Sequence, residues 1–246
     1  MRRKSLVIMI IAVSFLLISC KKAETPSTMM VPEQHQKDQL KRSFEESKKV
    51  IAAKVNGDPI TMFNLIREMN VIAGQYIRDG QQRTPELDSK VRTNALNDLI
   101  FQELAVQEAK KRGMIVKPET INSEIDKIKA KAGNENAFQE YLTNSGLTEN
   151  ELKQIIEKDQ LFEMIAAREI DAKIIITDAA LRERYKKEKS RMAKDSEHKQ
   201  MTFEEAKGML EQSLRTEAGE KRMREWGKEL RKNASIEIMA QQGKPM

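Results

Sequence analysis

Cysteine and histidine are almost absent from this sequence, which has one cysteine, Cys20, and two histidines, His35 and His198. A single cysteine cannot form an internal disulfide, so the chain is not a disulfide scaffold. These three residues are also too few for the zinc sites of most metalloenzymes. The composition therefore predicts no metal and no cofactor.

Aromatic residues are also scarce, at 4% of the 246 residues, whereas charged residues make up 33%. β-Sandwiches and barrels use more aromatic and β-branched residues than this, so the predicted fold class is mostly α. With only 10 glycines and 6 prolines, the chain is neither collagen-like nor broadly disordered.

An excess of charge of one sign is lacking as well. The chain has 44 Lys and Arg against 38 Asp and Glu, a net charge of +6. Three of the basic residues, Arg2, Arg3 and Lys4, lie in a segment that we expect to be removed. Acidic and basic residues alternate along the rest of the chain, as on solvated helix faces. The sequence therefore predicts no nucleic-acid partner.

The N-terminus has the pattern of a lipoprotein signal peptide over residues 1–19. A basic head precedes the apolar run Leu6–Ile18, which is shorter than the ~20 residues of a membrane-spanning helix. The sequence Leu17-Ile-Ser-Cys20 resembles a bacterial lipobox, which implies that Cys20 carries diacylglycerol and fatty acyl chains such as palmitate. The alternative is an uncleaved N-terminal anchor with an incidental cysteine. Lys21 follows the cysteine, and by resemblance to enterobacterial sorting the absence of an aspartate there implies the outer membrane if the cell has one.

Residues 20–49 are expected to form the lipidated cysteine and a flexible tether. The segment is polar, contains Pro26 and Pro32, and shows no sustained apolar period. Its second part, 36–49, is alternatively a polar helix. The folded body is expected to begin near Val50.

For the body, the sequence predicts one short hairpin, a series of helices and a last strand. Val50–Val55 is a strand candidate, and Asn56-Gly57 is a strong signal for a hairpin turn. The predicted starts and stops of the helical segments are Thr61, Gly80, Pro85, Gly113, Pro118, Gly133, Gly146, Thr148–Glu151, Thr177 and Thr202–Glu205. Ala234–Met239 alternates like a strand, and we expect it to pair with the first strand and close 50–240 into a single domain.

The order of these segments resembles the SurA/PrsA-type extracytoplasmic chaperones. The resemblance rests on Lys54–Ile60, Leu96–Ile100, Leu104–Gly113, Val116–Ile128, Phe138–Leu147, Ile174–Thr177 and Thr202–Ile238. It implies a SurA N-terminal-like helical chaperone domain over 50–240. In such a domain the long C-terminal helix and strand, 202–239, pack back on 50–176.

The sequence departs from that family in one respect. A parvulin-type prolyl isomerase domain usually stands before the C-terminal helix, but only Arg191–Met201 occupies this place. The expected protein is therefore a chaperone body without isomerase activity. No common catalytic motif, such as H-E-x-x-H, G-x-S-x-G or Walker A, is present, so we predict no enzyme activity and no catalytic residue.

The resemblance implies binding of unfolded polypeptide, for which adaptable apolar side chains are suited. The chain is rich in methionine, with 14 residues. The candidate client-binding residues are Met62, Phe63, Met69, Ile72, Tyr76 and Trp226. For each of them, ordinary core packing is the alternative.

Three functions follow as hypotheses. The first is an ATP-independent holdase, lipid-anchored in the cell envelope and facing the periplasm, with unfolded secreted or outer-membrane polypeptides and the membrane as its partners. The second is a structural or assembly lipoprotein that holds one dedicated partner. The third is a peptidyl-prolyl isomerase.

Overall fold

A computed structural model describes residues 33–192 and 201–239 of the chain. The predicted signal peptide 1–19, Cys20 with the first part of the tether, and His198 lie outside the described residues. Those expectations stay predictions.

Helices dominate the described residues, together with one small sheet. The elements are α1 Glu33–Lys49, β1 Ile51–Val55, β2 Asp58–Thr61, α2 Met62–Arg78, α3 Pro85–Lys111, α4 Pro118–Ala132, α5 Glu135–Asn144, α6 Glu149–Glu169, a 3₁₀ turn Asp171–Lys173, α7 Asp178–Met192, α8 Phe203–Arg231 and β3 Ile236–Ile238. The predicted class, mostly α with a small β element, is confirmed.

The hairpin β1–β2 turns at Asn56 and Gly57, as predicted. Both residues have positive φ, 52° for Asn56 and 94° for Gly57. A two-residue turn of this kind requires positive φ at both positions, which asparagine and glycine adopt most easily. The turn therefore follows directly from the dipeptide.

Strand β3 pairs with β1, so the predicted pairing of the two ends of the body is confirmed. The antiparallel register places Ala53 opposite Ile238 and Val55 opposite Ile236, and the sheet order is β2-β1-β3. At the turn, Asn56 N donates to Ser235 O, and Ser235 N donates to Asn56 Oδ1, both at 2.8 Å. One asparagine thus shapes the hairpin and holds the start of β3.

The chain divides into two compact units, which the sequence did not lead us to expect. Within the described residues, the first unit contains 33–163 and 234–239, and the second contains 164–192 and 201–233. The expected single domain over 50–240, and the packing of 202–239 on 50–176, stay predictions.

The first unit has two groups of buried apolar side chains. One group lies among α2, α4, α5 and α6 and contains Phe63, Ile125, Ile128, Phe138, Leu142, Leu147, Leu152 and Ile156. The other lies where β1 and α2 meet α3 and contains Ala52, Leu65 and Ala95. Helix α2 thus contributes to both groups from opposite faces.

Helix α1 occupies most of the segment for which we expected a tether, so the helical alternative is correct for 36–49. The Phe44 ring packs edge-on against Phe63 with centroids 5.8 Å apart, and Lys48 Nζ lies 2.8 Å from a carboxylate oxygen of Glu151. These contacts attach α1 to the first unit. The folded part therefore includes this helix and begins before Val50.

The second unit is held together by α7 and α8. Leu181, Ala206 and Leu210 form its buried group. Arg222 on α8 pairs with Glu169 and Glu229, at 3.3 Å and 2.9 Å. In the described part of the chain, no helix combines the length and the apolar character needed to cross a membrane.

Candidate functional site

Helix α2 carries five of the six predicted client-binding residues, and it begins with a reciprocal cap. Thr61 Oγ1 accepts a hydrogen bond from Asn64 N at 3.2 Å, and Asn64 Oδ1 accepts one from Thr61 N at 3.4 Å. Such a capping box satisfies amide groups that the first helical turn leaves without partners. The start of α2, and hence the direction of its side chains, is fixed by these two residues.

The predicted residues are separated onto two faces of α2. Met62, Met69 and Ile72 are half-buried against the group at β1 and α3, whereas Phe63 is 5% exposed in the other group. Tyr76 follows Ile72 by four residues and lies on the same face. Phe63 therefore has the environment of a core residue, whereas Met62, Met69, Ile72 and Tyr76 are only half-buried.

Trp226 lies in the second unit, on α8, with 2% of its surface exposed. This burial is typical of core packing, the alternative considered from the sequence. A role of Phe63 or Trp226 in client binding stays a prediction.

A groove of about 400 Å³ runs between α2 and α3. Ile72 and Tyr76 contribute the apolar part of its lining. The rest of the lining is polar and consists of Gln75, Asp79, Asn94 and Asp98. We call this cavity the α2–α3 groove. It brings together two predicted residues, Ile72 and Tyr76, with polar residues that the sequence analysis did not select.

Two carboxyl groups at or beside the groove, those of Asp98 and Glu68, have raised pKa values. Partial removal from water raises the pKa of Asp98, with no neighbouring cation among its causes. The pKa of Glu68, one helical turn before Ile72, is raised by burial and by the charge of Asp98, and Arg67 opposes the rise. Lys90 Nζ lies 5.4 Å from the centre of the Tyr76 ring. The groove thus combines an aromatic face with carboxylates that would gain from a nearby cation.

A second polar cluster joins α2, α3 and α6. Burial raises the pKa of Asp159 to about 7, while a hydrogen bond from Gln102 Nε2 at 2.8 Å and the charge of Arg67 oppose the shift. The Arg67 guanidinium carbon lies 5.7 Å from the centre of the Phe63 ring, and burial lowers its pKa. Burial and Glu124 raise the pKa of Glu163. This cluster is a half-buried network of charges within the first unit.

The second unit has a smaller apolar notch at α7 and α8. Tyr185, Met201, Met209 and Leu210 are among the residues that line it, and Met209 is 53% exposed. Tyr185 donates a hydrogen bond to the backbone oxygen of Met201 at 2.7 Å. The sequence analysis did not select the notch, because the high methionine content does not distinguish Met201 and Met209 from the other methionines.

The described residues contain no cluster of side chains that could bind a metal ion. No three side chains of the types His, Cys, Asp and Glu come together there in a way that could hold an ion. Of the two cavities described above, the α2–α3 groove has the larger volume.

Comparison with known proteins gives a family match over most of the first unit. Residues 2–166 match the SurA-like N-terminal domain family. The chain is 30% identical over 138 residues to foldase protein PrsA of Clostridium botulinum strain 657, covering 50% of this chain and 40% of that protein. It is 28% identical over 153 residues to chaperone SurA of Legionella pneumophila strain Paris, covering 61% of this chain and 35% of that protein.

A second clostridial protein is similar to this chain at a comparable level of identity. Foldase protein PrsA of Clostridium botulinum strain Langeland is 28% identical over 166 residues, which cover 62% of this chain and 49% of that protein. The chain spans less than half the length of each of these three relatives.

Proposed function

Because this chain belongs to the SurA-like N-terminal domain family, we propose that it is an ATP-independent holdase for unfolded or partly folded polypeptides of the cell envelope. The family match over residues 2–166 is the observation that carries the proposal. The names of the relatives, a foldase and a chaperone, agree with a role in protein folding.

The half-buried apolar side chains of α2 support the proposal of polypeptide binding. Met62, Met69 and Ile72 are only half-buried, and Ile72 and Tyr76 line the α2–α3 groove. Methionine has an unbranched, polarizable side chain that adapts to partners of different shape. A surface of this kind suits a protein that binds many sequences rather than one.

The proposed place of action is the periplasmic side of a membrane. The lipobox-like sequence before Cys20 is the basis for a lipid anchor, and Lys21 favours the outer membrane in a cell that has one. Metabolic labelling with palmitate tests this: the wild-type chain is expected to be labelled and Cys20→Ser is not. Equal labelling of both would contradict lipidation at Cys20.

The proposed holdase does no chemistry on its clients. The family match is to an N-terminal domain and ends at residue 166, and the linker between α7 and α8 is too short for an isomerase domain. Acceleration of a proline-limited refolding reaction would contradict this part of the proposal and favour the isomerase hypothesis.

The main test is suppression of aggregation without ATP. The chain from residue 21 onward keeps every described residue, and we expect it to protect a diluted, urea-unfolded outer-membrane protein at a near-stoichiometric ratio. It is also expected to protect an unrelated unfolded protein. Protection of neither would overturn the holdase function and favour a lipoprotein with one dedicated partner.

A further inference from the structure

The α2–α3 groove combines apolar and acidic residues in its lining. Its volume of about 400 Å³ is at the lower end of the roughly 300–1,000 Å³ of ligand pockets, which is enough for a few side chains. Ile72 and Tyr76 supply apolar surface for one of them. The remaining lining is polar and includes one acidic residue on α3 and one directly after α2.

The acidic residues of the lining are Asp79, which follows α2, and Asp98 on α3. On α2, Glu68 lies one helical turn before the lining residue Ile72, and Tyr76 lies one turn after it, so the three share one helix face. On α3, Asn94 and Asp98 have the same spacing. A chain lying along the groove would therefore meet apolar surface with carboxylates beside it.

Charge complementarity indicates the kind of chain that fits. Burial raises the pKa of Asp98 with no cation among its causes, and the charge of Asp98 raises the pKa of Glu68. A bound ammonium or guanidinium group would relieve both effects, and much of the desolvation of Asp98 is already present before binding. This acidic groove belongs to a chain whose net charge is +6, so it is a local feature and not a general property of the surface.

The cations already present near the groove support the same conclusion. Lys90 Nζ stands 5.4 Å from the centre of the Tyr76 ring, which shows that the aromatic face accepts an ammonium group. Arg67, the cation that opposes the pKa rise of Glu68, is shared with Asp159 of the second polar cluster. Lys90 is on a solvent-exposed part of α3 and can yield its place to a ligand cation.

We propose that the α2–α3 groove binds extended polypeptide segments in which an apolar side chain stands next to lysine or arginine. The apolar side chain packs on Ile72 and Tyr76, and the cation pairs with Asp98 and Asp79. The side-chain amide of Asn94 can both donate to and accept from the client backbone, which requires no particular sequence. This inference rests on the proposed function and adds the class of segment that is recognised.

The test compares two fluorescent nine-residue peptides that share a central leucine, one with flanking lysines and one with flanking glutamates. Binding to the full chain, reconstituted in phosphatidylcholine nanodiscs, is measured by fluorescence anisotropy with empty nanodiscs as the blank. The lysine peptide is expected to bind about tenfold or more tightly, and the preference should shrink at high salt.

Two variants of matched charge locate the effect. Asp98→Asn is expected to weaken binding of the lysine peptide by about tenfold. It should leave the glutamate peptide unaffected or slightly favoured. Asp126→Asn removes the same charge from an exposed position on α4 and should change neither affinity. Because the neutral form of Asp98 is favoured by its surroundings, Asp98→Asn is expected to fold, which its circular dichroism and melting temperature will verify.

The outcomes separate this inference from the holdase function. Equal affinity for the two peptides, or equal losses in Asp98→Asn and Asp126→Asn, would overturn the groove inference even if the chain suppresses aggregation. A lysine preference that depends on Asp98 supports the groove inference even if aggregation is not suppressed, in which case the holdase function fails alone.

Discussion

Asp159 is a residue of the first unit whose ionisation is expected to change near neutral pH. Burial raises its pKa to about 7, against a usual value of 3.8. The hydrogen bond from Gln102 and the charge of Arg67 limit the shift without removing it. At neutral pH, the junction of α2, α3 and α6 therefore contains a carboxyl group that is only partly ionised.

This environment predicts that stability falls as the pH rises. The folded-state pKa of Asp159 is raised, so its stabilising contribution is complete below about pH 4 and is lost as the pH rises through about 7. Asp159→Asn keeps an acceptor for Gln102 and removes the ionisation. The variant should be more stable than wild type at pH 8, by on the order of 1–2 kcal/mol after allowance for partial exposure, with a smaller gain at pH 5.

Urea unfolding at pH 5 and pH 8 measures both values. Asp126→Asn is the control, because it changes the same charge at an exposed position and should be neutral at either pH. A gain for Asp159→Asn that is equal at the two pH values would contradict an ionisation effect.

The sequence predicted only some of the residues that form the α2–α3 groove and the second polar cluster. Ile72 and Tyr76 were selected because apolar residues at helical spacing stand out. Asp98, Asn94 and Asp159 were missed, since with 33% charged residues a half-buried carboxylate has the same local pattern as a solvated one. Burial by a distant segment decides the difference, and no local pattern reports it.

At the scale of elements, one contact of α1 with the rest of the first unit is that of the Phe44 ring with Gly146. Gly146 has φ of 66°, and a Cβ atom placed on it would lie 2.5 Å from Cγ of Phe44. Two features therefore favour glycine at position 146, its backbone conformation and the nearby Phe44 ring of α1. The position couples the end of one helix to the docking of another.

Gly146→Ala is accordingly expected to destabilise the chain by about 2–4 kcal/mol, from strained φ and from displacement of Phe44. Gly113→Ala is the matched control: φ is 71°, and nothing lies within 4 Å of the added Cβ, so about 1 kcal/mol is expected. Urea unfolding gives the two losses, and limited proteolysis reports release of α1 in Gly146→Ala alone. Equal losses with no change in proteolysis would show that the Phe44 contact is unimportant.

The sequence predicted the helix ends better than the helix α1. The capping boxes at Thr148–Glu151 and Thr202–Glu205, and the glycine after α3, are local signals, and the structure has them at the predicted places. Helix α1 has few apolar residues, and its docking depends on Phe44 reaching a group of side chains distant in sequence. A polar helix of this kind cannot be told from a tether by local pattern.

At the scale of the whole molecule, the chain leaves the first unit within α6 and returns to it with β3. The pairing of the chain ends was predicted because both segments alternate like strands. The division into two units was not, since α6 Glu149–Glu169 is a continuous helix across the boundary and has no break in its sequence.

Removal of β3 is therefore expected to weaken the first unit, to which it belongs. Truncation after Asn233 uncovers Ala53 and Val55, both fully buried, and removes the hydrogen bonds of Asn56 to Ser235. The expected loss in the free energy of unfolding is about 2–4 kcal/mol. Hydrogen exchange of a peptide that covers 50–61 should rise strongly.

Truncation after Met239 serves as the control, because it keeps β3 and every other described residue. It should leave the exchange of 50–61 unchanged. The same exchange in the two truncated chains would contradict a stabilising role of β3.

The position of β3 also has a consequence for the order in which the protein is made. The partners Asn56 and Ser235 are 179 residues apart, so β1 and β2 leave the ribosome long before β3 exists. At roughly 5–20 residues per second, the wait is on the order of 10–40 seconds. During that time the hairpin has an open edge and an uncovered Val55, and an unpaired edge of this kind invites pairing with other chains. A protein proposed to shield unfinished polypeptides is thus itself unfinished until nearly the last of its residues has been added.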